Sequence, residues 1–442
     1  MTFPQQFIEQ TKALLLDEYN AFENALSETP PTSIRVNNKM DYRPDGDLVT
    51  WCEKAYYLPE RPLFTADPLF HAGVYYVQEA SSMFLSQVVS QYLQDSQTVL
   101  DLCAAPGGKS TLLLQFLPQD CLLVSNEMNR QRSYILAENI AKWGNPNVMV
   151  TNNNADDFST MKGFFDAIVV DAPCSGEGMF RKDKQAIAEW SEQNVEICAE
   201  RQRKILADAW DALKPNGILV YSTCTYNRKE NEENVEWLCD EYDAETLSVN
   251  LNGNTDIVVT DYGYRFFQHR TKGEGFFLSV IRKNENTGSV RKLKADFKKG
   301  IKFVDANDIP FKLSGEYAFK FVNDENHIRA YIEQHFERFM YLNSKLKCID
   351  SGLLVAEIKG KDYIPSAQLA LSKSLDTGSV ERAELDYNTA ISYLKRESIE
   401  LYGSAIGFVL VQYMQQSLGW VKNIGTRSNN LYPTNWRIRM NL

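Results

Sequence analysis

Two cysteines stand at the ends of short apolar runs. Cys174 lies in Asp171-Ala172-Pro173-Cys174-Ser175-Gly176, after the run 167–170. Cys224 lies in Ser222-Thr223-Cys224-Thr225, after the run 218–221. Runs of this length and content read as buried strands. A third segment, Asp101-Leu102-Cys103-Ala104-Ala105-Pro106-Gly107-Gly108-Lys109-Ser110, follows Val99-Leu100 in the same way. Turns at the carboxyl ends of parallel strands are where an open α/β sheet places its ligands. Two thiols beside a ligand loop suit covalent attack on an electrophilic ring. The bland alternative is a pair of small buried side chains behind strands, where cysteine often sits.

The loop 103–109 allows three readings. Gly108-Lys109-Ser110 looks like the end of a phosphate-binding P-loop, with the strand ending at Asp171 as its magnesium-holding partner. That pattern needs a glycine five residues before Gly108, and Cys103 stands there. The dinucleotide fingerprint Gly-x-Gly-x-x-Gly is absent as well. What remains is a glycine turn, where backbone can approach a ligand, followed by a helix N-terminus. Glu127 comes nineteen residues after Gly108, at the end of the next strand, where a carboxylate can accept both hydroxyls of a ribose. The combination suits an adenosine-type cofactor; a nucleoside triphosphate site and a purely structural turn are the alternatives.

These groups need a scaffold. Strands are expected over 98–102, 121–125, 147–151, 165–170 and 218–222, alternating with helices over 108–116, 131–143 and 194–213. The last helix is stopped near Lys214-Pro215-Asn216-Gly217 by the usual Pro and Gly signals. A helix over 231–242 and an antiparallel hairpin over 264–268 and 275–281 complete this part. Such alternation means a mostly parallel, doubly wound sheet. Before it come a helix over 4–26, a short strand over 33–36 and a segment 75–82 leading into another helix. After it, the charged stretch 283–302 reads as a linker or a domain boundary. The remainder mixes short strands with helices over 325–341 and 388–395. No internal repeat or low-complexity tract is present.

Composition sets outer bounds. The 442 residues allow two or three domains, and 44% hydrophobic with 24% charged content is that of an ordinary globular chain. No apolar run approaches the ~20 residues of a membrane span, and the N-terminus lacks a signal-peptide pattern. Eight cysteines without a Cys-x-x-Cys pair argue against a disulfide framework and a zinc site, so free thiols in a reducing cytoplasm and no metal are expected. Cys52, Cys121, Cys198, Cys239 and Cys348 read as core or surface thiols, and the four histidines as structural, His269 included. Net charge is −11, mildly against a nucleic-acid partner. Two stretches run the other way. Residues 290–302 hold six basic residues and one acidic, and 420–442 hold Lys422, Arg427, Arg437 and Arg439 with no acid. Local basic surface is what phosphate binding needs. Trp420, Tyr432 and Trp436 in the second stretch could stack on bases but suit packing of a small domain better.

Taken together, the motifs resemble a known family. Cys103-Ala-Ala-Pro-Gly-Gly-Lys109, Asp171-Ala-Pro-Cys-Ser-Gly-Glu-Gly178 and Ser222-Thr-Cys-Thr-Tyr226 with Glu230-Asn231-Glu232-Glu233-Asn234 are similar to the Nol/Nop/Sun family of RNA cytosine-5 methyltransferases. Gly178-Met-Phe-Arg-Lys182, Tyr76-Val-Gln-Glu-Ala80 and Gly273-Glu-Gly-Phe-Phe277 resemble its bacterial ribosomal RNA branch, the RsmF type. The likeness is strong over about 30–285. It continues weakly to the end, where Leu418-Gly-Trp-Val-Lys422 and Asn430-Leu-Tyr-Pro433 look like a PUA-like RNA-binding module.

The resemblance implies a class I, Rossmann-like α/β methyltransferase core over 98–285. It implies an RNA-facing α+β extension over 1–97, an intermediate region over 286–370 and a PUA-like α+β region over 371–442. It implies S-adenosyl-L-methionine as cofactor and ribosomal RNA, of the small subunit, as substrate, acted on by a monomer. Transfer RNA and a non-catalytic assembly role are the alternatives. Cys224 is then the nucleophile, Cys174 assists release, and Asp171 meets the cytosine edge near N3. Cys103, Ala104, Ala105, Pro106, Gly107, Gly108 and Lys109 wrap the cofactor, with Asp171 close by, and Glu127 takes its ribose. Asn154 replaces the family's usual acid at the adenine amino group, with Asp156 and Asp157 as rivals; its amide oxygen can still accept that hydrogen bond. Lys109 has a second reading, as a brace of the loop against a carboxylate. Arg35 and Asn37 contact either RNA or the catalytic domain. Asp171-Ala172-Pro173-Cys174, with a thiol and no aromatic platform, suits methylation of carbon rather than of an exocyclic amine.

Overall fold

The computed structural model describes residues 2–284, 301–401 and 403–440. Most of the linker stretch, and residues 290–300 of the first basic run, therefore lie outside the described residues.

The N-terminal extension begins with two short helices, α1 (Gln5–Leu15) and α2 (Tyr19–Ala25). The single helix expected over 4–26 is broken at Leu16, whose φ is +50°. The break lets both pieces bury aromatic residues: Phe7 of α1 and Phe22 of α2 pack with Phe180, Tyr226 and Phe267 of the core. An antiparallel sheet follows, of β1 (Thr32–Val36), β2 (Asp47–Leu48), β3 (Ala55–Leu58) and, after α3 (Pro68–His71), β4 (Tyr75–Val77). Helix α4 (Leu85–Tyr92) leads into the core.

The core alternates as expected: β5 (Thr98–Asp101), α5 (Gly108–Phe116), β6 (Leu122–Asn126), α6 (Arg130–Trp143), β7 (Val148–Thr151) and β8 (Phe165–Asp171). Next come α7 (Lys184–Glu189), α8 (Glu192–Trp210), β9 (Leu213–Thr223) and α9 (Glu232–Glu241). Four further strands are β10 (Ala244–Thr246), β11 (Val258–Thr260), β12 (Gly263–Phe266) and β13 (Phe276–Lys283).

The C-terminal part holds β14 (Lys302–Val304), β15 (Phe319–Asp324), β16 (His327–Ile332), α10 (Phe336–Lys345), β17 (Cys348–Ser351), β18 (Leu353–Lys359), β19 (Asp362–Pro365) and α11 (Ala367–Leu371). It closes with β20 (Arg382–Glu384), α12 (Tyr387–Leu394), β21 (Gly407–Tyr413), β22 (Gln416–Asn423) and β23 (Ser428–Asn430). The helix expected over 325–341 is half wrong. Its first part is β16, paired antiparallel with β15. Glu325 and Asn326 both have positive φ, +48° and +70°, the backbone of a two-residue hairpin turn.

The central sheet runs β11-β12-β13-β9-β8-β5-β6-β7-β17, with β10 beside β13. The five strands β9-β8-β5-β6-β7 are parallel. Successive residues face opposite cores: Val99, Leu123 and Val169 on one side, Leu100, Val124 and Ile168 on the other. Because β5 is flanked by β6 and β8, a crevice opens above its carboxyl end. Strand β17 joins this sheet from beyond residues 283–302, antiparallel to β7. The remaining sheets are β14-β15-β16-β18-β19 and β20-β21-β22-β23. No helix among the described residues is long and apolar enough to cross a membrane.

Candidate active site

The crevice is built from loops tied across strand ends. Asn126, the last residue of β6, donates from its amide to the carbonyls of Leu102 (3.0 Å) and Asn153 (2.9 Å). Its amide oxygen accepts from Thr151 Oγ1 and the Asn153 N–H. The loop 103–109 is pinned from α6: Arg132 donates to the Ala105 carbonyl (2.7 Å) and Asn139 to that of Pro106 (2.8 Å). Gly107 has φ +117°, a left-handed conformation that glycine adopts freely, and α5 starts directly after it. Ala104 and Ala105 of the loop are buried, and burial pushes the half-buried Cys103 thiol up.

Three carboxylates surround the loop. Glu127 accepts from the Asn129 N–H (2.8 Å) and faces Arg132 at 3.5 Å. Asp171 bonds Lys109 (2.8 Å) and accepts from Ser222 Oγ (2.9 Å). Asp101, fully buried, accepts from Ser110 Oγ at 2.6 Å through one oxygen, while the other has no partner. Burial pushes its pKa up to about 7, with Asp171 and Glu127 adding and Ser110 and Lys109 opposing. An orphaned carboxylate oxygen, a second carboxylate at the end of β6 and a glycine turn opening a helix fit a ligand with a cationic end and a ribose.

The two thiols meet. Cys174 Sγ and Cys224 Sγ lie 3.0 Å apart, and the Cys224 N–H points at the Cys174 sulfur (3.3 Å). The neighbouring sulfur, and then burial, hold the Cys174 thiol well above its usual range. Two buried glutamates fix the turns that carry them. Glu177 accepts from Thr225 Oγ1, the Tyr226 and Asn227 N–H groups, the Trp190 indole and Gln10. Glu230 accepts from the Ser175 N–H, Gln202 and Asn227. Gly178 donates to the Cys224 carbonyl (2.9 Å), and a side chain there would strike the Gly275 carbonyl. Each carboxylate is satisfied several times over, which makes the pair of turns stiff.

Against this geometry stand the comparisons. Residues 89–282 match the model for 16S rRNA methyltransferase RsmB/F. Residues 3–80 match the N-terminal domain of 16S rRNA methyltransferase RsmF, and 380–438 the methyltransferase RsmF PUA domain. The ribosomal RNA small subunit methyltransferase F of Aeromonas salmonicida is 31% identical over 477 residues, covering 97% of this chain and 96% of that one. The chain belongs to the RsmB/F methyltransferase family. A namesake from Pectobacterium atrosepticum is 35% identical over 252 residues, 55% of this chain and 51% of its own. A methyltransferase homolog from Pyrococcus horikoshii is 26% identical with a TM-score of 0.55, covering 64% of this chain and 95% of that one.

For this family member, the site residues read from sequence fall into groups. The loop 103–109, Glu127 and Asp171 converge on one crevice, and Cys174 and Cys224 face each other. Lys109 forms an ion pair with Asp171 at 2.8 Å. Asn154 is exposed; its N–H donates to Asp157 (2.9 Å), and it has no bond to the other groups. Its neighbours are structural: Asn152 holds the carbonyls of Glu127 and Met128, and Asn153 pairs with the Lys347 backbone. Arg35 and Asn37 are fully buried against the core, so neither reaches RNA. Arg35 donates to Gly108 O, Thr111, Gln78 and Gln115, and lies over the Trp143 ring. His269 bonds Glu18 of the extension at 2.8 Å. In the tail, Trp420 and Tyr432 are buried and pack: Trp420 against Phe311 of the preceding region, and Tyr432 in a cluster that includes Tyr393 and also Ile34, Phe64 and Leu69 of the extension. Lys422 pairs with Asp362 (3.2 Å), an acid that the run 420–442 does not contain, while Arg427, Arg437 and Arg439 are exposed. Asp101, Asn126, Glu177 and Glu230 carry no role in the sequence reading. For Asp101 a signal existed: an acid ending an otherwise apolar buried strand.

Proposed function

We propose that this chain methylates carbon 5 of a cytosine in small-subunit ribosomal RNA, using S-adenosyl-L-methionine. The observation that carries the reading is the pair of thiols 3.0 Å apart beside a cofactor-type crevice. Glu127, Asp101 and the loop 103–109 would hold the cofactor, with Asn154 toward the adenine. Bound there, it supplies an electrophilic methyl group. Carbon 5 of cytosine is too weak a nucleophile unaided, so Cys224 thiolate adds to carbon 6 and makes carbon 5 electron-rich. Asp171, oriented by Ser222 and Lys109, faces the base edge near N3. After methylation, solvent water takes the proton from carbon 5, that bond's electron pair restores the carbon 5–carbon 6 double bond, and the sulfur–carbon 6 bond breaks with its pair returning to Cys224. Cys174, whose sulfur lies 3.0 Å from that of Cys224, can donate a hydrogen bond to that departing sulfur.

The test is a pair of variants. Cys174→Ala should accumulate a covalent protein–RNA species on denaturing gels, because addition proceeds while release stalls. Cys224→Ala should give neither adduct nor product. Adduct from Cys224→Ala and none from Cys174→Ala would reverse the two roles. Bisulfite sequencing of small-subunit RNA from a deletion strain locates the target; an unchanged 5-methylcytosine pattern would refute the substrate.

A further inference from the structure

Lys39 joins three parts of the chain at one atom. Its Nζ donates to the carbonyls of Ala72 (2.9 Å), Lys142 (2.6 Å) and Leu371 (2.8 Å). Ala72 caps the C-terminus of α3 in the extension, Lys142 lies in the last turn of α6 in the core, and Leu371 ends α11 in the C-terminal part. Helix C-termini carry partial negative charge and carbonyls without helical partners, so three of them around one ammonium form a matched set. Burial and the nearby Lys373 push the pKa of Lys39 well down. The three carbonyls oppose that, because a neutral amine has only two N–H groups and would turn its lone pair on the third acceptor. The approach is tight: a Cβ at Gly144, just past α6, would stand 2.3 Å from the Leu371 carbonyl oxygen.

We propose that Lys39 sets which cytosine reaches Cys224, by fixing the C-terminal part against the catalytic core. The proposal rests on the RNA-methylating reading above and adds how one target is selected. On one side of the joint, Trp420 of β22 donates its indole N–H to the carbonyl of Ser366, the N-cap of α11 (2.9 Å). Strand β22 lies in the region that matches the PUA domain, so α11 carries that domain to Lys39. On the other side stand the elements that hold the cofactor loop: α6, through Arg132 and Asn139, and β1, through Arg35 and the Gly108 carbonyl. Asn37 ties two of the same ends, donating to the carbonyls of Gly73 (2.9 Å) and Trp143 (3.0 Å). An apolar cluster also joins Ile34 and Leu69 to Leu394 and Tyr432. Apolar packing is non-directional and tolerates sliding, whereas three hydrogen bonds of defined geometry do not. An RNA held by the tail thus meets the thiols at one set distance, and a misplacement of about 1 Å at the reacting atoms costs on the order of 10²-fold in rate.

The experiment uses the full chain carrying Lys39→Met, and separately Lys39→Ala with and without propylammonium, which replaces the missing carbons and the ammonium. The substrates are protein-free small-subunit RNA, read by bisulfite sequencing, and a short single-stranded oligonucleotide around the target. In Lys39→Met the share of product at the wild-type cytosine should fall about tenfold or more against other cytosines. Cofactor affinity and kcat on the oligonucleotide should stay within about twofold, because neither needs the tail. Propylammonium should return the wild-type pattern to Lys39→Ala and leave Lys39→Met as it was. A wild-type pattern in folded Lys39→Met would overturn the proposal, as would a shift in Lys39→Ala that propylammonium does not reverse. Equal losses on RNA and oligonucleotide, or a Lys39→Ala chain that stays unfolded with propylammonium, would make Lys39 a support of the fold alone and overturn it too. If the wild-type protein methylates no small-subunit RNA, the substrate reading fails by itself. Small-angle scattering then decides the joint: Lys39→Met should have a larger radius of gyration than wild type, and identical curves would overturn the proposal.

Discussion

Asp101 is expensive to bury. Its carboxyl keeps a proton up to about pH 7 in the folded protein, against 3.8 for the ordinary group. Between those values the unfolded chain has already released the proton that the native state retains. This residue's contribution to stability therefore falls as pH rises from about 4 to 7, and is flat above. Urea unfolding at pH 5 and pH 8 should show Asp101→Asn losing less stability across the interval than wild type; identical losses would rule the assignment out. Glu127, just after β6, is the residue proposed to take the cofactor's ribose. Glu127→Ala should weaken S-adenosyl-L-methionine binding by tenfold or more, because two hydrogen bonds to a charged acceptor are each worth about 1.5–3 kcal/mol. Calorimetry with unchanged affinity would remove Glu127 from the site. At this scale the sequence was most readable where chemistry is written locally. Cys174 and Cys224 each follow their own strand within one short motif. Glu177 and Glu230 stand in the same motifs, but their work is to collect donors from Gln10, Trp190, Gln202 and Asn227, and no local pattern announces that.

Strands and helices of the core were legible because period and punctuation agree: apolar runs, then glycine, then an amphipathic helix. The failure at 325–341 has a physical cause. His327–Ile332 alternates half-buried His327 and Arg329 with buried Ile328 and Ala330 before burying Tyr331 and Ile332, a strand that ends just short of a real helix starting at Phe336. The turn Glu325-Asn326 was the missed punctuation. Arg35 shows the same limit between elements. It locks β1 to α5 through partners 43 to 80 residues away. Burial lowers its pKa to about 10, so it remains charged at neutral pH. Arg35→Met should leave Gln78, Thr111 and Gln115 without their donor, at a cost of about 3 kcal/mol. Arg35→Lys should restore little, since an ammonium cannot reproduce the five-donor fork. Urea midpoints check the cost. Cofactor affinity measured on the folded variants checks whether the loop that opens α5 has lost its support.

For the whole molecule, family membership was readable and the assembly was not. Strand β17 lies beyond residues 283–302, yet it completes the catalytic sheet against β7. Its sequence, Cys348-Ile349-Asp350-Ser351, carries no sign of its distant partner. A chain ending at Asn284 should therefore expose the backbone of Val148–Thr151 as a sheet edge and form concentration-dependent aggregates in light scattering. A truncated chain that stays monomeric and active would show that β17 is dispensable. The same strand sets a timetable for biosynthesis. The ribosome adds residues from one end only, at roughly 5–20 per second. The five parallel strands are thus made seconds before the piece that caps them. During that interval the nascent sheet offers an open margin to any neighbouring chain, so slow codons between the linker and Cys348 would lengthen the exposure and favour chaperone dependence.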